Sequence, residues 1–496
     1  MDSSLNARRR TYELGVVADG RRLDVLVVGL GATGAGAALD AASRGLSVAA
    51  VDAHDLAFGT SRWSSKMVHG GLRYLAKGQV DVAYESAVER GILLRTTAPH
   101  LVKAHPYLLP LTPAVSPRQA ALVMTGYRLG DGLRTAARTP RRLLPGPTRL
   151  GAARAHTLAP VLARDGLRGG LLSWDGRLLD DARLVVALAR TAAGHGARVL
   201  TRCRALRLTD EGAEVRDELT GERFTIRARA VVNATGVWAG QLDPAVRLRP
   251  SRGSHLVLDA GTLPGLIAGM HVPIPGESNR FALVLPQGDG RVYVGLTDEP
   301  LDGPVPDVPE VPAEDVTALL EVLNGILEAP VTPEAVAGAY AGLRPLLAAD
   351  GRTADLSRRH AVLSDGGVVT VVGGKLTTYR RMAEDAIDRA VSLKDLSAGP
   401  SRTKHIPLVG AGPQPDGVPP RLAERYGSEA AAAYELVKAH PEEVGLGLTK
   451  GDLLWSVRHE GALDEADLLD RRTRIGLVAA DRDRALPATR DVLGTR

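Results

Sequence analysis

Cysteine is almost absent: the chain of 496 residues has one, Cys203. That excludes an intramolecular disulfide framework and any zinc or iron-sulfur site built on several cysteines, and a reducing, cytoplasmic setting is expected. Aromatic residues make up only 3% of the chain, which argues against the stacking platforms that hold single-stranded nucleic acid. No run approaches the ~20 apolar residues that a membrane-spanning helix needs. The opening "MDSSLNARRRTYELGVVADGRR" lacks the apolar core and small-residue cleavage site of a secretory signal.

The net charge of +5 is modest but unevenly placed. Between Arg118 and Arg168 ten arginines face only Asp131 and Asp165. Such a stripe suits water or the acidic headgroups of a membrane surface, and nucleic acid far less.

What is present begins with "RRLDVLVVGLGATGAGAALDAASRGLSVAAVDA". A short apolar strand, Val25 to Val28, runs into Gly29, Gly31 and Gly34 of a G-x-G-x-x-G turn. An alanine-rich helical stretch and a second strand ending in Asp52 follow. Gly29 permits the tight turn, Gly31 lets a pyrophosphate approach N–H groups at the helix start, and Gly34 lets helix and strand pack closely. Asp52 is placed to accept hydrogen bonds from an adenosine ribose. The fingerprint alone leaves NAD and FAD open. Instead of alternating strands and helices, the chain then enters "HDLAFGTSRWSSKMVHGGLRYLAKG", dense in Gly, Ser, Thr and Arg. That composition suits irregular backbone beside a long ligand and favours FAD. A later strand ending in Asn233-Ala234-Thr235-Gly236 offers a second small-residue approach to the adenosine half.

The segments "GTSRWSSKMVHGGLRYL", "LLDDARLV", "VVNATGVW", "RGSHLVL", "AGLRPLL" and "GGKLTTYRRMAE" occur in order along the chain. In this order and spacing the sequence resembles the FAD-dependent glycerol-3-phosphate dehydrogenases of the bacterial aerobic type, from about Asp24 to about Leu477. Asp52 stands where the family usually has glutamate, Arg252 replaces a common lysine, and Leu296-Thr297 replaces a usual threonine pair.

The resemblance implies an α/β fold with an FAD-binding Rossmann-like domain of the glutathione-reductase/D-amino-acid-oxidase type, an antiparallel-sheet substrate domain and a C-terminal α-helical domain. It implies oxidation of sn-glycerol 3-phosphate at the flavin and transfer of electrons to a quinone, on the cytoplasmic face of the membrane as a peripheral protein. A homodimer is compatible with it. Arg73, Arg344 and Arg358 match the family's phosphate-binding arginines, with Tyr74 and Lys375 beside them. Arginine suits a phosphate because its planar fork donates two parallel charge-assisted hydrogen bonds. His255 is the first candidate for the base that takes the hydroxyl proton, with His69 second. Thr60, Ser61, Ser65, His69, Gly70, Gly71, Ala234, Gly236, Gly373, Gly374, Leu376 and Thr377 are expected around the cofactor. Gly373-Gly374 would let the main chain approach the flavin edge without a Cβ in the way. Lys375 and the N–H groups of Leu376 and Thr377 then open a helix whose positive end favours negative charge on the flavin.

These motifs divide the chain into a tail at 1–23, an FAD-binding domain at 24–100, 167–242 and 341–400, and a substrate domain at 101–166 and 243–340. The proline-rich "EPLDGPVPDVPEVPAED" is expected as an exposed connector, and 401–496 as a separate helical cap. Three rivals stay open: a glycerol-3-phosphate oxidase that uses oxygen, a flavin-dependent tRNA-modifying protein, and an amine or amino-acid oxidase.

Overall fold

A computed structural model describes residues 2–76, 78–277, 280–348 and 359–494, with the side chains of Arg73 and Ala76 also left undescribed. The apolar strand Leu23–Val28 lies at the centre of an eight-stranded sheet, flanked in parallel by Val48–Val51 and Arg223–Asn233. Arg198–Leu200 and Val368–Gly373 extend the parallel core, and His360–Asp365 closes one edge antiparallel. The strands buried on both faces are near-continuous runs of Val, Leu and Ala, as parallel sheets require.

The helix Ala32–Ser43 packs on this sheet so tightly that a Cβ on Gly34 would lie 1.8 Å from the Gly29 carbonyl oxygen. Gly29 itself has φ +100°, and its own Cβ would meet the Ala234 carbonyl at 2.6 Å. Glycine spacing therefore sets how closely helix, turn and neighbouring strand approach.

The second sheet has ten strands, antiparallel except where Gly269–Pro273 runs parallel to Val102–Pro110. Gly170–Leu178 pairs along its full length with Val102–Pro110. Residues 170–178, expected in the FAD-binding domain, thus belong to this second sheet, and Val336–Arg344 pairs there too across the expected boundary at 341. Neither strand carries a local pattern that assigns it to one sheet; long-range pairing decides.

The expected tail instead folds. Its helix Ala7–Ala18 carries a buried Arg10 that pairs with Asp217 at 2.5 Å. The C-terminal region is helical apart from a small ribbon of Glu443–Gly445 and Leu448–Thr449. It is not separate. Arg183 of the helix Asp181–Gly194 pairs with Glu460 at 2.8 Å, Arg190 with Glu429 at 2.7 Å, and Arg474 reaches back to Asp180 at 2.9 Å.

Burial holds the imidazoles of His100, His105 and His271 down to about 3, 4 and 4. Unfolded histidine titrates near ~6.5, so between that pH and about 4 the unfolded chain binds more protons at these sites, and stability falls as pH falls. Asp52 and Asp467, pushed up to about 6 by burial, and Glu13, Asp40, Glu89 and Asp181, raised by the same cause, act in the opposite sense, but burial lowers His54, His195, His255 and His459 as well, so the histidines prevail. The thermal midpoint should therefore drop by several degrees between pH 7 and pH 5. A midpoint that held or rose over that range in calorimetry would contradict the argument.

Candidate active site

Three parallel strands end together at Val28, Val51 and Asn233, and a cavity of about 900 Å³ opens beyond them. Gly29, Gly31 and Asp52 line one part of it, with Ala234 of the adjoining strand end beside Gly29 and Gly236 just beyond it in the chain. Asp52 accepts the Leu30 N–H at 2.7 Å and the His54 N–H at 2.8 Å, so the acid is fixed by the glycine turn it faces. Ser61 Oγ accepts the N–H of Ala32 at the helix start at 2.9 Å, and Thr60 Oγ1 donates to the Leu343 carbonyl at 2.7 Å. Gly34 does not line the cavity; its part is the packing of helix on turn.

The long, narrow-necked dinucleotide that this wall suits needs a glycine turn at a helix N-terminus, an acid at the next strand end and a second small-residue edge. All three face one cavity, whose size matches a large cofactor.

Farther along the same cavity stand Ser65, His69, Tyr74, His255, Arg344, Gly373, Gly374, Lys375, Leu376 and Thr377. Tyr74 and Lys375 meet directly, with Nζ 4.1 Å from the ring centroid, a contact that favours a cation over an aromatic face. Lys375 Nζ also donates to Ser86 Oγ. Arg344 is held on one side by Asp298 at 3.3 Å, and it donates to Ser251 Oγ at 3.2 Å and the Thr297 carbonyl at 3.1 Å. It is thus a paired cation at the wall rather than an open one.

His255 is buried, stacks on Tyr340 with centroids 4.7 Å apart, and has Nε2 2.9 Å from Ser65 Oγ. Burial, with the positive Lys66 and Arg344 nearby, holds its pKa well below the ordinary histidine value. The ring is therefore neutral near pH 7. Close approach makes this arrangement specific: a Cβ on Gly295 would strike the His255 ring, and one on Gly253 the Arg344 guanidinium.

Lys66, within the "SSK" of the long motif, lies behind the cavity wall between the lining Ser65 and Met67, and sequence reasoning did not single it out. Its ammonium is fully buried, 2.9 Å from Asp181, and donates to the Arg62 carbonyl at 2.7 Å. The same Asp181 oxygen accepts the Ser64 N–H at 2.9 Å and hydroxyl at 2.7 Å. This pair fixes the loop that delivers Ser65 to His255. The only signal for it lay in two motifs 115 residues apart, "SSKMVHGG" and "LLDDARLV".

Several expectations change. Gly70 and Gly71 do not line the cavity; the Gly70 N–H is 3.2 Å from Asp175, and a Cβ there would strike Arg90. Gly373 and Gly374 line it, but both have positive φ, +77° and +71°, and their Cβ directions point at the Arg359 carbonyl and Met382. Backbone conformation and internal packing, rather than room for a flat ring, demand glycine there. Arg358 and the Arg73 side chain lie outside the described residues. The neighbouring Arg359 faces Asp81 at 2.5 Å. Val305 and Asp307 of the expected connector line the cavity, as do Tyr127 and His271, which are 3.2 Å apart.

A parallel-sheet nucleotide turn and a second, largely antiparallel sheet share one large cavity. Residues 24–380 match the FAD dependent oxidoreductase family. The chain is 53% identical over 508 aligned residues to "Glycerol-3-phosphate dehydrogenase 1" of Mycobacterium tuberculosis, with 99% of this chain and 98% of that protein covered. It is 31% identical to the mitochondrial glycerol-3-phosphate dehydrogenase of Rattus norvegicus, covering 98% and 72%. The crystal structure of the Bacillus halodurans glycerol-3-phosphate dehydrogenase complexed with FAD superposes with a TM-score of 0.76 at 26% identity, covering 99% and 94%. The L-alpha-glycerophosphate oxidase of Mycoplasma pneumoniae shares the fold, with a TM-score of 0.59 at 17% identity over 78% and 99% of the two chains. The chain belongs to the glycerol-3-phosphate dehydrogenase family, and its cofactor is FAD.

Proposed function

We propose that the protein oxidises sn-glycerol 3-phosphate to dihydroxyacetone phosphate and passes the electrons to a quinone. The observation that carries this reading is the convergence of Lys375 with Tyr74, Arg344 and neutral His255 on the cavity that the nucleotide turn opens. FAD, when bound, supplies the acceptor for the hydride from C2.

The chain's own groups do the rest. Lys375 and Arg344, joined by Arg73 and Arg358 through the family resemblance, bind the dianionic phosphate and so aim the C2–H bond. His255, neutral near pH 7, accepts the C2 hydroxyl proton at its imidazole, so that no alkoxide has to form in a largely apolar cavity. Ser65, hydrogen-bonded to Nε2, orients the ring.

No helix among the described residues is long and apolar enough to cross a membrane. The helix Pro117–Ala136 nevertheless exposes Leu122 and Leu129 where it lines the cavity mouth. An exposed apolar edge at the entrance supports a peripheral membrane location and a lipid-soluble acceptor. The basic stripe supports it less than its composition suggests, because Arg134 is spent on Asp131 and Arg168 on the Thr112 carbonyl.

Each charge-assisted hydrogen bond to phosphate contributes about 1.5–3 kcal/mol. Arg344→Ala should therefore retain FAD and lose activity roughly a hundredfold or more. Turnover with a quinone should proceed with little peroxide formed. Near-normal turnover in the flavin-loaded variant would remove Arg344 from the site, and stoichiometric peroxide would favour the oxidase reading.

A further inference from the structure

Among the described residues, none beyond Met382 lines the cavity, so the C-terminal region supplies no wall of its own. It does grip the segment that follows Asp52. Asp55, fully buried, accepts Arg471 Nε at 2.7 Å and Arg472 Nη1 and Nη2 at 2.8 and 2.9 Å. The second oxygen set in this cluster belongs to Asp467, which accepts Arg471 Nη2 at 2.5 Å and Arg202 Nη2 at 2.6 Å. Arg202 also meets Asp464. Three guanidiniums therefore face three carboxylates.

The backbone beneath this cluster is the floor of the nucleotide site. The Arg202 N–H donates to the His54 carbonyl at 2.6 Å, and the Cys203 N–H to the Asp52 carbonyl at 2.7 Å. From the other side, Leu30 binds Asp52, and the Ala57 N–H donates to the Leu30 carbonyl at 3.0 Å. His54 and Phe58 stack with centroids 3.8 Å apart, both line the cavity, and the Arg471 guanidinium lies 5.7 Å from the Phe58 ring. The segment 52–58 is thus clamped between the glycine turn and two arginines more than 400 positions away in sequence.

Burying so many charges costs desolvation that pairing only roughly repays, so such a cluster is weak as a source of stability and strong as a device that fixes one arrangement. We propose that Arg471 and Arg472 are positioning residues for the FAD site. Through Asp55 they lock residues 52–58 into the cofactor-binding shape, so FAD affinity and docking of the C-terminal region are thermodynamically coupled. Coupling of this kind is reciprocal: FAD tightens the docking as the docking tightens FAD.

The test uses the full chain, stripped of FAD and titrated with it. Arg472→Met should weaken FAD binding by at least about tenfold, within the usual range of coupling between sites. The rise in thermal midpoint that FAD produces should shrink in step, because that rise reports affinity for the folded state. Asp464→Asn touches only the half-exposed edge of the cluster and should move both readouts the same way by less. In the unaltered protein, FAD should slow hydrogen exchange of amides 467–474, a readout available even if Arg472→Met fails to fold. Two results would overturn the proposal: an unchanged FAD Kd in folded Arg472→Met whose midpoint falls equally with and without FAD, or exchange at 467–474 indifferent to FAD.

Discussion

Everything about the site depends on the contact between Gly34 and the Gly29 carbonyl, where the helix Ala32–Ser43 rests on the turn that precedes it without space for a single carbon. That contact fixes the direction of the helix, and with it the place where backbone N–H groups meet a cofactor phosphate. It also holds Gly29 against Ala234, so that the two small-residue strand ends lie side by side at one edge of the cavity. A larger residue at either point would separate the helix from the sheet and the two halves of the nucleotide wall from each other.

A second constraint is the pairing of buried charge. Lys66 with Asp181, Arg183 with Glu460 and the arginines around Asp55 each join segments distant in sequence. An ion taken out of water tolerates few geometries, so each pair fixes a loop more sharply than apolar packing would. The first sets the Ser65 contact with His255, and the third sets the floor beneath Asp52. Stability, site geometry and the role of the C-terminal region are in this sense the same property seen at different distances from the cavity.

The parts legible in sequence were those with local grammar. A strand, a G-x-G-x-x-G turn and an acid at the next strand end need only short-range spacing, and Gly29, Gly31 and Asp52 lie where that spacing puts them. His255, Arg344 and Lys375 came from longer motifs, and the three do line one cavity. What was not legible depends on pairing across the chain. Residues 170–178 join the second sheet because of 102–110, and the connector reaches the cavity through Val305 and Asp307. Gly373 and Gly374 could be located, but the reason for them, positive φ and contact with Arg359 and Met382, is a property of the folded backbone. Lys66 gave no sign of burial, since a lysine between serines and a methionine reads as a surface residue until Asp181 arrives opposite it.

The central claim is that one cavity brings FAD and a phosphate-bearing polyol together in reacting geometry. An anaerobic visible spectrum, recorded before and after adding sn-glycerol 3-phosphate to the purified protein, tests it most directly. Flavin bands that are present at the start and bleach rapidly on addition are the expected result. A bound flavin that keeps its bands in the presence of saturating sn-glycerol 3-phosphate would contradict the account.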